Sequence, residues 1–400
     1  MICAHGSLQS SKPLMKKKQA VICALLSAAA YLLCGCAESA VPEESVALFS
    51  GRDRNELYQA ICGALTKFQD HAEVYGDPDS AMLTEVCQQI QQDHPELYWF
   101  GGWYSTASSS THPDSTYIAF DIPNDATAQQ FSDMQKELLD ASAAIRAAIP
   151  ADANDYEKAL FVHDYLIEHT NYADDGPEAG NAYGCIVNHA AYCEGYSRAF
   201  LLLMNQLGIP AGLTSGTGEN GGNHMWNYLK LGENYYWTDV TWDDTLIDGS
   251  DTEQLNHYYC FLNDDLMLRS HTIGKNPLFI PTCSSMEMNY FVQNGWYLET
   301  YDCDAACAII KKQLRSEKNP IELMLDSKES YDAATRDLFD DNRFWLMPEL
   351  PFDLDYCTLS CCAVPSVLRI DLYHKDDPDT GEGEAIEMPE SESPPDDETA

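Results

Sequence analysis

The sequence predicts an α+β protein in which a helix opening on a cysteine lies against antiparallel strands that carry a histidine and an aspartate. Three segments predict it. AAYCEGYSRAFLLLMNQLGIP reads as a helix starting at Cys193: Tyr196, Phe200, Leu203 and Leu207 share a face, Gly208 suits a C-terminal cap, and Pro210 forbids continuation. GGNHMWNYLKL and NYYWTDVTWDD read as two strands joined by a Gly232-Glu233 turn. Helix and strand patterns on either side predict smaller α+β units at both ends.

In chain order, Lys16–Lys18 precede the apolar run AVICALLSAAAYLL, which ends in Cys34-Gly35-Cys36. A basic stretch, a short apolar stretch and small residues make a secretory signal over residues 1–35. The run is short for a bilayer span. Residues 36–52 are a polar tether. A helix is expected over 54–72 from Leu57, Ile61, Leu65 and Phe68, and another over 80–93 from Met82, Val86 and Ile90. LYWFGGWYST and STYIAFDI read as strands, completing a leader over 53–125. Asn124 or Asp125 is placed to cap a long helix ending near Ala148. Tyr156–Thr170 forms a further helix, with His163 beside its apolar stripe as a packed histidine. The segment carrying Cys193 and the two strands after it is expected over 126–285. Beyond it, NYFVQNGWYLETY reads as a hairpin around Asn294-Gly295. Helices near 303–315 and 329–340 and strands at IELMLD and VLRIDLY complete a unit over 286–375. Residues 376–400 hold 11 acids, no base and no aromatic, and are expected to be a disordered tail.

The 400 residues carry 23 basic and 64 acidic side chains, a net charge of −41. Such a chain will not track a phosphate backbone, so nucleic acid is excluded as a partner. Nor will it lie on an anionic lipid face by charge alone. At 45% apolar and 11% aromatic it has ample material for a core. Eleven of the 15 cysteines follow Cys36. With one reserved as a reactive thiol, ten are free to pair in an exported chain. Cys303/Cys307 and Cys357/Cys361/Cys362 lack zinc-ligand spacing and read as disulfides or buried thiols. No metal or cofactor is expected.

Cys193 falls where a helix N-terminus presents free N–H groups and the positive end of its dipole, which favour a thiolate and can hold an oxyanion. Pairing Leu231 with Asn234 places His224 and Asp239 as diagonal neighbours on one ribbon face; a one-residue slip separates them. Thiol, imidazole and carboxylate in that order suit nucleophilic catalysis. His189 is a rival base, with no acid-bearing strand beside it. Trp226, Trp237 and Trp242 line a groove or fill a core. GTGENG, residues 216–221, precedes a strand and reads as a loop leading to His224, and Asp174-Asp175-Gly176 as a turn.

CEGYS, HMWN and DVTWDD resemble the core of the bacterial transglutaminase-like superfamily, whose fold is papain-like. Ser197 stands where that family usually has alanine. The resemblance implies Cys193 as nucleophile, His224 as base and Asp239 as orienting acid; Trp226 and Trp242 are candidate substrate contacts from the residues themselves. It implies acyl transfer or hydrolysis at amides of a protein or peptide substrate, cell-wall peptide included. A non-catalytic envelope binding module is the alternative of another class. The segment ending at Cys36 resembles the lipobox of bacterial lipoproteins, with Leu33 at −3 and Gly35 at −1. That resemblance implies lipid on Cys36 and a cell-membrane location on the extracytoplasmic face.

Overall fold

The computed structural model describes residues 48–387, apart from 111, 113, 122–126, 174, 220, 245–254, 276, 363–365 and 375–384. The expected signal, the lipidation residue Cys36 and most of the expected tail lie outside these. Among the described residues no helix is long and apolar enough to cross a membrane.

The leader opens with α1 (Arg54–Leu65), whose first N–H groups are capped by Asp53. It stops seven residues short of the expected end because HAEVY alternates, and alternation suits a strand: β1 (His71–Tyr75) buries every second residue. Then come α2 (Ser80–Asp93), capped by Asp79, β2 (Tyr104–Ser108) and β3 (Ser115–Phe120). β3 lies between β1 and β2 and pairs antiparallel with both. Only the end of LYWFGGWYST is strand. Leu97, Tyr98, Trp99 and Phe100 lack polar alternation and are buried from turns.

α3 (Ala128–Ala148) is capped by Thr127 in a reciprocal capping box with Gln130. The cap therefore lies beyond the expected Asn124 or Asp125, which are outside the described residues. α4 (Asp155–His169) is capped by Asn154 in a second such box, with Glu157. Short elements follow: β4 (Asn171–Tyr172), α5 (Ala182–Ile186) and β5 (Ala190–Ala191), which pairs with β4. α6 (Cys193–Leu207) is the central helix, buried at every position from Gly195 to Met204. Gly208 ends it at φ 74°, where a side chain would be strained. Leader and core helices share one apolar interior; Trp99 lies 4.9 Å from Phe68 and 5.3 Å from Phe131 between ring centroids. The Gln92 amide docks the leader like a strand rung, donating to Leu213 O (3.1 Å) and accepting from Leu213 N (2.9 Å).

The sheet beside α6 is ordered β8-β7-β6-β9: β6 (Ala211–Thr217), β7 (Asn223–Leu231), β8 (Asn234–Thr238) and β9 (Thr272–Ile273). The β7–β8 register is the one expected, running from Leu231↔Asn234 to Asn227↔Thr238. Between β8 and β9 lies α7 (Asp264–Met267).

The C-terminal part differs from the expected hairpin. NYFVQN forms the short helix α8 (Tyr290–Asn294), capped at its start by Asn289 and ended by Gly295 at φ 73°. The strand after it, β10 (Tyr297–Leu298), pairs in parallel with β11 (Ile321–Leu325). An Asn-Gly pair serves a helix end as readily as a hairpin turn, and the Asn289 cap decides between them here. α9 (Cys303–Arg315) and α10 (Lys328–Thr335), the latter continued by a π-turn over Arg336–Asp340, take the expected places. β12 (Leu354–Cys362), a strand not anticipated, and β13 (Val367–His374) complete the sheet β10-β11-β13-β12-β14. Its last member, β14 (Ala385–Glu387), draws three residues of the expected disordered tail into pairing with β12. Nine described cysteines, 62, 87, 185, 193, 260, 283, 303, 307 and 357, are free thiols, so the pairing expected among ten is not seen for them.

Candidate active site

Cys193 is the first residue of α6 and is half-buried. The cap residue Tyr192 supplies no side-chain hydrogen bond, in contrast to the caps of α1 to α5. The first N–H groups of α6 thus keep no side-chain cap. Gly195 explains itself by close approach: a Cβ there would stand 2.4 Å from Ala179 O, so only glycine lets the helix start press against that loop.

Two polar locks set α6 against the sheet. Asn227 donates from Nδ2 to Ser197 O (3.0 Å) and Gly212 O (3.2 Å), tying β7 to both α6 and β6. The Ser197 hydroxyl donates to Met225 O (2.9 Å), which gives the serine in CEGYS a role alanine would lack. These locks bring His224, at the start of β7, to the helix end, near enough for Cys193 to raise its pKa.

The other side of the imidazole meets Asp239, with Nε2 2.5 Å from Oδ2. Both residues lie past the last rung of the β7–β8 ladder. There the chain after β8 turns away to pair with the segment before α7, Asp239 N–H reaching Tyr259 O. Asp239 is 1% exposed and accepts three further bonds: from Thr241 N (3.1 Å) and Trp242 N (3.2 Å) at Oδ1, and from His271 Nε2 (3.0 Å) at Oδ2. Burial works against its charge, but the His224 cation and the hydrogen bonds overcome that and hold the carboxyl far below the usual range. Burial likewise presses the His224 pKa down. The Asp239 charge and hydrogen bond, then the nearby Cys193, outweigh it and raise the imidazole to about 10. Asp239 is therefore the acceptor, and His224 donates from Nε2–H.

DVTWDD holds three buried carboxylates with separate duties. Asp243 meets His163 Nε2 at 3.0 Å and accepts Tyr259 N–H at 2.9 Å. The Tyr196 hydroxyl of α6 donates to Asp244 at 2.5 Å. His163, expected as a packed histidine, is fully buried; its Nδ1 donates to Asp164, which also accepts from His257 (3.0 Å each). His163, Asp164 and His257, and likewise His224, Asp239 and His271, bring potential metal ligands together. Their 2.5–3.0 Å spacings are those of direct N–H···O bonds, which account for both clusters.

The remaining residues singled out by sequence fall into place. Trp226 is 0% exposed, so it lines no groove and packs against the His224 ring; Trp237 is also fully buried. Trp226 packs into an apolar cluster with Trp237, Tyr259, Leu262 and Leu266. Trp242 is half-buried, and its ring lies 5.1 Å from that of His224. The rival His189 is exposed at the end of α5. Burial pushes the Cys185 thiol up to about 12 and Cys260 well above its ordinary value, as inert thiols. His271 and Asn227 carried no signal in the sequence reading. His271 lies 32 residues from Asp239, and only the β6–β9 pairing brings it near.

Residues 143–242 match the model of the transglutaminase-like superfamily. No curated protein matches in sequence. Among solved structures, a TGase is 14% identical, with 46% of this chain and 53% of that one covered and a TM-score of 0.27, so the chain spans about half its length. A protein proposed as a cysteine protease, from Cytophaga hutchinsonii, is 14% identical over 46% of this chain and 79% of that one, TM-score 0.24. Menin is 14% identical over 66% of this chain and 47% of that one, TM-score 0.25. These scores are too low to inform the chemistry. Residues 143–242, which hold CEGYS, HMWN and DVTW, are thus the part of the chain that matches the transglutaminase-like superfamily.

Proposed function

We propose that this protein is a cysteine enzyme that forms an acyl-thioester at an amide of a protein or peptide and resolves it with an amine or with water. One observation carries the reading: the imidazole of His224 is hydrogen-bonded to a buried carboxylate and lies near enough to the Cys193 thiol, at the start of α6, for that thiol to raise its pKa. In this reading Asp239 holds the His224 tautomer whose Nδ1 is open to the thiol, and stabilises the cation. His224 accepts the thiol proton and the sulfur attacks the carbonyl carbon, forming a C–S bond. The oxyanion is met by uncapped N–H groups of α6. The C–N bond then breaks, and His224 returns the proton to the departing ammonia or amine. An amine or a water next attacks the thioester, His224 taking its proton, and the C–S bond breaks to restore the thiol.

The sequence ending at Cys36 supports a lipid tether on the extracytoplasmic face, so a surface or cell-wall peptide is the proposed substrate class. Radiolabelled lipid incorporation that vanishes in Cys36→Ala tests the tether.

Intact-mass measurement of iodoacetamide labelling tests the reactive thiol. Cys193 is expected to react at least about 10-fold faster than in a folded His224→Ala variant, by the usual contribution of a positioned base. Equal, slow labelling excludes the enzyme reading and leaves a binding module. Supplying a fluorescent amine with a glutamine-rich protein then separates the outcomes. Cys193-dependent incorporation marks transfer, and new peptide ends or ammonia without incorporation mark hydrolysis.

A further inference from the structure

We propose that His271 is a positioning residue of this site: its Nε2–H fixes the Asp239 carboxylate in the orientation that receives His224. The proposal rests on the reading of Cys193 given above. His271 follows α7 and directly precedes β9, whose pairing with β6 (Thr217↔Thr272, Gly216↔Ile273) brings it under the start of β7. Its side chain is 0% exposed, and Nε2 lies 3.0 Å from Asp239 Oδ2, the same oxygen that His224 engages.

The carboxylate is thereby filled. An ionised carboxylate offers about four acceptor directions. Here they are taken by two imidazole N–H groups on Oδ2 and by the Thr241 and Trp242 amides on Oδ1. With the amides alone the group could swing about the bond to its chain. The second imidazole, opposed to the first, removes that freedom. On its far side, His271 Nδ1 lies 2.9 Å from the Ser270 hydroxyl, a hydrogen bond that holds the ring with Nε2 toward Asp239. From the other elements, the titratable groups at this carboxylate are His224 from β7, backed by the Cys193 thiol of α6, and Tyr259, whose ring lies 5.6 Å from that of His271.

The rival explanation is that His271 is an aromatic spacer, since its ring also touches Trp226 (4.8 Å) and Trp242 (4.3 Å). The two roles predict opposite results for two substitutions. His271→Phe keeps a ring and loses the N–H; His271→Gln loses the ring and keeps an N–H at about the same reach. If His271 positions Asp239, the Cys193 alkylation rate falls about 10-fold or more in His271→Phe, the fold-change expected for one hydrogen bond to a charged group, and His271→Gln recovers most of it. Circular dichroism and thermal melts confirm that both variants are folded. A Phe variant at the wild-type rate, or a Gln variant as slow as Phe, overturns the proposal.

Failure of the underlying reading looks different: wild-type Cys193 would itself react no faster than in His224→Ala. The imidazole ¹⁵N spectrum of the wild type decides the positioning role even then. A neutral-pH His271 protonated at Nε2 is expected, with the His224 Nε2–H signal shifted in His271→Phe. An unprotonated His271 Nε2, or a His224 signal unmoved by the substitution, overturns it.

Discussion

Asp239→Asn is expected to lower kcat/KM on an amide substrate by about 10⁴-fold while leaving the protein folded, the scale seen when an orienting acid becomes its amide. An amide turned with its NH2 toward His224 would force Nε2 to accept, which moves the imidazole proton to Nδ1. Nδ1 is the nitrogen that must take the proton of Cys193. His271 makes the substitution worse, since it too donates toward Oδ2, and one amide cannot accept from both rings while presenting hydrogens to either. The alkylation rate of Cys193 across pH measures this without a known substrate. In the wild type, Asp239 is held far below the usual carboxylate range and His224 is raised to about 10. The rate should therefore change where His224 loses its proton, near pH 10. In Asp239→Asn, which loses the charge that raises His224, that change should move to lower pH, and an unchanged profile would remove Asp239 from the mechanism.

Asp243→Ala is expected to cost about 3–5 kcal/mol of stability, the scale for removing one partner of a buried pair. His163 and Asp243 are both completely buried at 3.0 Å, and the same carboxylate takes the Tyr259 amide. Truncation leaves a buried cation with Asp164 alone. The pair also has a pH signature. Burial pushes the His163 pKa down, but hydrogen bonds and charge from Asp164 and Asp243 raise it to about 9, above its unfolded value of about 6.5. A raised pKa stabilises the protonated form. The contribution is thus complete below pH about 6.5 and is lost as pH climbs to about 9. Urea unfolding across that window should show the wild type losing its advantage over His163→Gln, by about 3 kcal/mol for the shift given. A constant difference would show that His163 stays neutral.

The parts of the fold that were legible in sequence are those with strong local rules. α6 was readable because Gly208 and Pro210 end it and its apolar face repeats, and the β7–β8 register because a two-residue turn admits one pairing. Cys193, His224 and Asp239 inherited that legibility. Trp226 was misread because facing a groove and facing a core look alike on a strand; the cluster it forms with Trp237, Tyr259 and Leu262 decides. The segment after Asn289 was misread because Asn294-Gly295 fits both a hairpin turn and a helix end, and β12 because its alternation is broken by a run of cysteine and serine. His271 and Asn227 could not have been found. Their roles depend on which strands become neighbours across the sheet, and no local spacing encodes that.

The chain has only 23 lysines and arginines against 64 acids, and among the described residues the buried Asp239 and Asp243 are served by histidine. Four of its 11 histidines, His163, His224, His257 and His271, sit inside the protein on Asp164, Asp239 or Asp243. Imidazole is compact enough to be desolvated against a carboxylate where a long basic side chain would reach for water. The practical consequence concerns acylating reagents such as diethyl pyrocarbonate. They would strip internal counter-ions as well as a base, so inactivation and unfolding should advance together. Histidine modification cannot serve as a count of active sites in this protein.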